Sequence, residues 1–409
     1  WLGLCERFRW PEDFTLLTED RVRKGFTVVQ ITAGLNPVMD AFDERSANEA
    51  GVPWEEGYAR INPRFYELAD LRIRHLVSKG IMPCIFACWG YNVLMMGLEK
   101  MKAHWRYLIA RWGAYPVAWS LAGEGAMPWF GTADKSGDAA KQIELLGETA
   151  KYVRSADPYG RMVTLHPDAG RGSGRKNIGD PSLLDFDMLH TGHMQYRAIP
   201  HTISTLRWSV EQRPVMPVIN GEVCYENAFD DSPASFQRLL FWSCILSGAT
   251  AGHAYGADGI WQFITEETPD AGYNYVNNHH WGWKTWKEQY DLPGSRQVGI
   301  SKRKLMEYSW WLIEPHQEWI DPHWDGDIAP QPFAGGIPGR LRIAYIPTIL
   351  KMPVIKNIEK NVRYQAHFFN PINGERFDIG AVTPDDSGNW QPPYPGVIHD
   401  WMLFLEAVG

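Results

Sequence analysis

Residues 217–226 read PVINGEVCYE. The apolar run reads as a buried strand that breaks at Gly221, with two carboxylates, Glu222 and Glu226, just beyond its end. Strands covered on both faces read as continuous apolar runs rather than as alternations. Acids at the tip of such a run have two readings. One is a polar turn. The other is chemistry presented at the end of a strand, and it requires a second carboxylate placed the same way. Residues 117–125, VAWSLAGEG, supply one in Glu124, again directly after a glycine that ends a buried run.

Working outward, short apolar runs alternate with longer amphipathic stretches through about residue 313. The strand candidates are WLGLC (1–5), FTVVQITA (26–33), IMPCIFACW (81–89), PVAWSLAG (116–123), RMVTLHP (161–167), LDFDMLHTGH (184–193), PVMPVING (214–221) and TAGHAYG (250–256). Helical patterns cover 65–80, 100–115, 139–157, 232–248 and 294–313. The fourth opens on Ser232 and Pro233, a pair suited to an N-cap and first helical position. Eight strands in alternation with helices predict an α/β fold, a (β/α)8 TIM barrel. Beyond residue 318 the pattern changes to short strands with Pro, Gly and Asn-Gly turn signals. Two domains are expected: a catalytic barrel over 1–318 and a small C-terminal antiparallel β-sandwich over 319–409.

Of the residues, 44% are hydrophobic and 22% charged, a globular composition able to bury a large core. The net charge of −8 argues against a nucleic-acid partner, which needs a clustered basic surface. The short basic runs 21–24 and 302–304 read as solvated helix faces. The 20 Trp are a surplus, and those in predicted loops, Trp89, Trp129, Trp281, Trp283 and Trp286, suit stacking on sugar rings. The five cysteines are odd in number and lack a disulfide spacing, so they read as buried free thiols. No run of about 18 apolar residues spans a membrane. No signal peptide is visible, and oligomeric state is not legible.

In a (β/α)8 barrel the chemistry lies at the C-terminal ends of the strands. Glu124 would end strand four and Glu222 strand seven. Two carboxyls across a barrel mouth are what glycosidic cleavage needs: one protonates the leaving oxygen, the other attacks or activates water. Other polar residues fall at strand ends: Asn36, His166, His190, His193, His253 and Tyr255. Each suits sugar hydroxyls, and each suits a satisfied core position equally. His190 and His193 do not converge on one face if extended, so neither a metal nor a cofactor is expected. There is no G-x-S-x-G, Walker or G-x-G-x-x-G motif. The glycine-rich segment 170–180, GRGSGRKNIGD, reads as a mobile loop over the cleft.

At these residues the chain resembles the apiosidase-like glycoside hydrolases, whose barrel is usually followed by a β-sandwich named for putative collagen binding. The resemblance rests on WLG at the start, KGFTVVQ, VAWSLAGE, TLHPDAGRGS, DFDMLHTGH, PVINGEVCYE, SGATAGHAYGADGIWQF and YDLPGSRQVG, with FFNPINGE in the sandwich. It implies that Glu222 is the nucleophile and Glu124 the general acid/base. It also places Glu226, His166, His193, His253, Tyr255 and Trp261 near the pocket. Two positions depart from the pattern: Gly123-Glu124 replaces the family's common Gly-Asp, and Leu4 replaces an acid. Both bear on which sugar is preferred. The expectation is a retaining, exo-acting hydrolase of plant or algal polysaccharide side chains, periplasmic or extracellular, with a cytoplasmic location as the alternative. The alternatives are a glycan-binding barrel without catalysis, or a metal-dependent hydrolase using the histidines.

Overall fold

The computed structural model describes residues 3–5, 7–36, 42–267, 273–274, 279–280 and 282–408. In chain order, helix α1 (Glu12–Lys24) precedes strand β1 (Val28–Thr32), α2 (Pro63–Ser78), β2 (Met82–Phe86), α3 (Asn92–Met96) and α4 (Leu98–Trp112). Then come β3 (Ala118–Ser120), α5 (Lys135–Ala156), β4 (Val163–Thr164), β5 (Asp187–His190), α6 (Ala198–Glu211), β6 (Val218–Glu222), α7 (Ala234–Ile245) and β7 (Gly252–His253). The short strands β8 (Tyr273–Asn274) and β9 (His279–His280) are followed by α8 (Trp286–Gln289) and α9 (Pro293–Leu305). The rest is β-structure: β10 (Glu314–Pro315), β11 (Ile320–Asp321), β12 (Phe333–Ile337), β13 (Leu341–Ile346), β14 (Val354–Ile355), β15 (Tyr364–Phe369), β16 (Arg376–Ala381) and β17 (Trp401–Ala407). The fold class is the expected one, a (β/α)8-type alternation followed by an antiparallel β domain.

The chain divides into two compact units. The first comprises Trp1–His190, Arg213–Met216 and Gly256–Asp291. Its sheet runs β1-β2-β3-β4, all parallel, with Val28 opposite Met82, Cys84 opposite Ala118 and Trp119 opposite Val163. The helices between strands bury one stripe each. Ala69, Ile73 and Leu76 of α2, and Met101, Trp105, Leu108 and Trp112 of α4, recur at helical spacing and are buried. Trp105 meets Trp119 of β3 edge-on at 5.6 Å. Local chemistry sets the boundaries: Asn62 caps α2 through Arg64 N, Asp134 caps α5 through Gly137 N, and α1 stops at Gly25 with φ 91°.

The second unit comprises Thr191–Gln212, Pro217–Tyr255 and Leu292–Gly409. Here β6 and β7 pair in parallel, Asn220 opposite His253. The C-terminal residues form a six-stranded antiparallel sheet in the order β10-β12-β13-β17-β15-β16, and the β11–β14 ribbon shares its core through Ile320, Ile355, Trp401 and Leu405. Residues Phe236 through Ile245 of α7 are all buried. One side meets the sheet, where Arg238 Nε donates to Asp400 Oδ2 at 2.7 Å and Tyr345 OH donates to the same oxygen at 3.2 Å. Trp242 lies edge-on to Phe404 at 6.2 Å.

Several expectations are corrected. WLGLC is not seen as a strand: Trp1 and Leu2 lie outside the described residues, and Gly3–Cys5 form a bend that buries Leu4 and Cys5. β6 runs through Glu222 rather than ending before it. The N-cap of α7 is Pro233, because the Ser232 hydroxyl is engaged by Gln237 Nε2 at 3.2 Å. The segment 170–180 is tied down rather than mobile. Ser173 Oγ donates to Asp187 at 2.7 Å, Arg175 Nη2 donates to Pro214 O at 2.9 Å, and Gly174, Arg175 and Asn177 are buried. The basic runs are partly internal too: Lys24 reaches Asp20 at 2.7 Å and Lys304 is buried, while Arg23 is solvated. All five cysteines are free and buried, and burial pushes the Cys84 thiol up to about 12. Among the described residues no helix is long and apolar enough to cross a membrane.

Candidate active site

Two groups of polar side chains gather, one in each unit. The first surrounds Glu124, four residues past β3. Glu124 has φ 42°, in the left-handed region. Non-glycine residues there carry strain, and such strain collects at functional sites. Trp89, three residues past β2, pairs with Gly123 in a parallel bridge, and Gly90 N donates to Gly123 O at 2.7 Å. A Cβ on Gly123 would lie 2.3 Å from the Trp89 ring. Glycine is therefore what lets the indole cross the chain and donate Nε1–H to Glu124 Oε2 at 3.1 Å.

Two histidines back this carboxylate. The Glu124 amide donates to His166 Nδ1 at 3.2 Å, which makes that nitrogen an acceptor and puts the ring proton on Nε2. His190 Nδ1 lies 3.3 Å from Pro167 O and 3.6 Å from Glu124 Oε1. The two imidazoles are 5.1 Å apart. Asn177 Oδ1 accepts the Ala126 amide at 2.9 Å and so braces the turn after Glu124. The Glu124 side chain is 20% exposed, enough to meet a ligand. Asn36 and Trp129 join a neighbouring aromatic cluster instead. Tyr91 OH donates to Asn36 O at 3.3 Å, and Trp129 meets Tyr91 at 4.8 Å. Trp261 is half-buried in the same unit. Among the loop tryptophans, Trp286 is core, Trp283 is exposed, and Trp281 lies outside the described residues.

The second group surrounds Glu222, the last residue of β6, which is buried. His193 Nε2 lies 3.0 Å from its Oε1, and Tyr225 OH donates to the same oxygen at 2.5 Å. The two rings meet at 4.3 Å, tilted by 35°. Burial alone would lower the His193 pKa, but hydrogen bonds to Cys224 and Glu222 and the Glu222 charge raise it to about 9. His193 is thus a cation at neutral pH, and Glu222 receives two donors on one oxygen. His253, packed on Phe241 at 5.6 Å, is pushed down to about 3 by burial and stays neutral. Glu226 accepts from Gly294 N at 2.9 Å and from Tyr255 OH at 2.5 Å.

Tyr225 was not singled out by the sequence reading, although it stands three residues after Glu222 in the stretch first quoted. Its spacing on a strand end carried no signal. Asn177 was hidden in a segment whose glycines suggested mobility.

Comparison with known proteins gives the family and the fold. Residues 1–312 match the family model described as Apiosidase-like, catalytic domain. No curated protein matches the sequence. A solved structure named glycoside hydrolase superposes with a TM-score of 0.76 at 20% identity, covering 97% of this chain and 88% of the other. A glycoside hydrolase family 5 protein from Bacteroides vulgatus ATCC 8482 gives 0.75 at 20% identity, covering 97% and 85%. At that identity the two neighbours speak for the fold, while the family match covers most of the chain. This chain belongs to the apiosidase-like catalytic-domain family and is a glycoside hydrolase.

Proposed function

We propose that the protein is a retaining, exo-acting glycosidase that removes side-chain sugars from plant or algal polysaccharide, with Glu222 as nucleophile and Glu124 as general acid/base. The observation that carries the reading is the contrast between the two carboxyls. Glu222 is buried and receives the His193 cation and the Tyr225 hydroxyl on one oxygen. Glu124 is partly open, with the Trp89 indole on one oxygen and His190 3.6 Å from the other. Donors to a carboxylate favour its ionised form, as a nucleophile requires.

In the first step a Glu222 oxygen bonds to the anomeric carbon. The glycosidic C–O bond breaks as the Glu124 proton moves to the leaving oxygen. In the second step water attacks the glycosyl-enzyme, Glu124 takes its proton back, and Glu222 departs as carboxylate. Asn36, Trp89, Trp129, His166, His190, His193, His253, Tyr255 and Trp261 are the sugar-binding residues of this proposal. Glu124 reaches one methylene beyond an aspartate, which shifts the sugar that fits. Exo action is part of the same reading. Such a substrate implies work in the periplasm or outside the cell. We also propose that residues 1–318 form the catalytic domain and 319–409 a β-sandwich that supports it.

A glycan panel identifies the substrate, and proton NMR of the first-formed product gives the stereochemistry. Retention is expected, and an inverted first product refutes the nucleophile assignment. Glu222→Ala is expected to fold and to lose turnover by about three orders of magnitude or more. Undiminished turnover in that variant refutes the role of Glu222.

A further inference from the structure

Glu226 is buried, and each of its oxygens serves the fold. Oε1 accepts the Gly294 amide at 2.9 Å, and Oε2 accepts the Tyr255 hydroxyl at 2.5 Å. Gly294 is the second residue of α9, where backbone N–H groups lack helical partners and an anion is stabilised. The approach is built in, since a Cβ on Gly294 would lie 2.5 Å from the carboxylate. A carboxylate has only acceptors, so the single phenolic proton of Tyr255 points at Glu226.

The strand pairing says at which edge Tyr255 stands. Asn220 of β6 stands opposite His253 of β7. Glu222 ends β6, and Tyr255 stands two residues past the end of β7. Parallel neighbours present their C-terminal ends at one edge, so the phenol stands at the edge that carries the nucleophile, with its proton directed at Glu226.

We propose that Glu226 is a positioning residue that makes Tyr255 a hydrogen-bond acceptor, so that the site selects a donor hydroxyl on the sugar held at Glu222. The proposal rests on the hydrolase reading above and adds the polarity of recognition. A glutamine at 226 keeps the shape and inverts the polarity. Its amide oxygen takes the Gly294 N–H, its NH2 faces Tyr255, and the phenol must turn its proton toward the substrate.

The test uses the full chain as wild type, Glu226→Gln, Tyr255→Phe and the double variant. It reads kcat, KM and melting temperature on a glycoside that the wild type cleaves. Each single variant is expected to raise KM about tenfold, the worth of one hydrogen bond, with a smaller change in kcat. The double variant is expected to be no worse than either single one. Unchanged kinetics in Glu226→Gln overturn the proposal, and so do additive effects. An effect in Glu226→Gln with none in Tyr255→Phe also overturns it, because Glu226 then only caps α9. A wild type inactive on every glycoside refutes the hydrolase reading and this proposal with it, whereas an active wild type with unchanged variants refutes the proposal alone.

Discussion

Replacing Glu124 by glycine is expected to stabilise the protein relative to replacing it by alanine. Most positions show the opposite order. The reason is the φ of 42° at this residue. An L side chain in the left-handed region costs about 1–2 kcal/mol, and alanine keeps that cost while glycine removes it. The greater freedom of glycine in the unfolded chain takes back about 0.5–1 kcal/mol. The net preference for glycine is about 0.5–1 kcal/mol. Both variants lose the Trp89 donor at 3.1 Å and the His190 contact at 3.6 Å, so those losses cancel in the comparison. Glu144, exposed in the middle of α5, is the internal control. There glycine is expected to be worse than alanine by about 1 kcal/mol. Urea unfolding followed by tryptophan fluorescence measures all four variants. The sign of the Gly–Ala difference should invert between positions 124 and 144. An alanine at 124 that is as stable as the glycine refutes the strain argument. Both variants at 124 should also lack turnover, so any gain is stability released at a functional position.

Other expectations concern other positions in the two units. Tyr225→Phe deletes one donor to Glu222 and should lower kcat/KM by about ten- to a hundredfold without changing the melting temperature by more than a few degrees, since hydrogen bonds to charged groups contribute about 1.5–3 kcal/mol. Arg238→Ala leaves Asp400 buried without its ion-pair partner and should destabilise by about 3–5 kcal/mol, less when combined with Asp400→Ala, as a double-mutant cycle in urea would show. His104 is fully buried, accepts from Trp54 Nε1 at 3.3 Å and meets Ala87 O at 2.9 Å, and burial lowers its pKa to about 4. The unfolded chain takes up that proton near pH 6.5 and the folded one does not. Stability should therefore fall by up to about 3 kcal/mol as the pH drops from 6.5 to 4, and a His104→Phe variant should lose less over that window. His193 has the opposite sign: its contribution is complete below about pH 6.5 and is lost as the pH rises through about 9.

Much of the framework was legible because it is local. A buried parallel strand announces itself as an apolar run, and seven of the eight runs overlap the observed strands β1 to β7, β6 running one residue past its run. The exception, WLGLC, shows the limit: an apolar segment is equally buried in a bend, since burial needs no ladder. The C-terminal antiparallel sheet was legible from its turns. The segment 170–180 was misread because glycine signals freedom only until tertiary partners remove it. Asp187, Pro214 and Ala126 are such partners, and none is near enough in sequence to be anticipated.

What the sequence determined by itself is the alternation of strands and helices, and the placing of Glu124 and Glu222 at the ends of β-runs. Both follow from periodicity and from glycine, which act over a few residues. Only the tertiary structure decided that His193 and Tyr225 share one oxygen of Glu222, that Trp89 crosses Gly123 to reach Glu124, and that Glu226 caps α9 while holding Tyr255. Apart from the short step from Glu222 to Tyr225, those contacts join residues 29 to 68 apart in sequence. A hydrogen bond depends on distance and angle in space, and sequence separation carries neither.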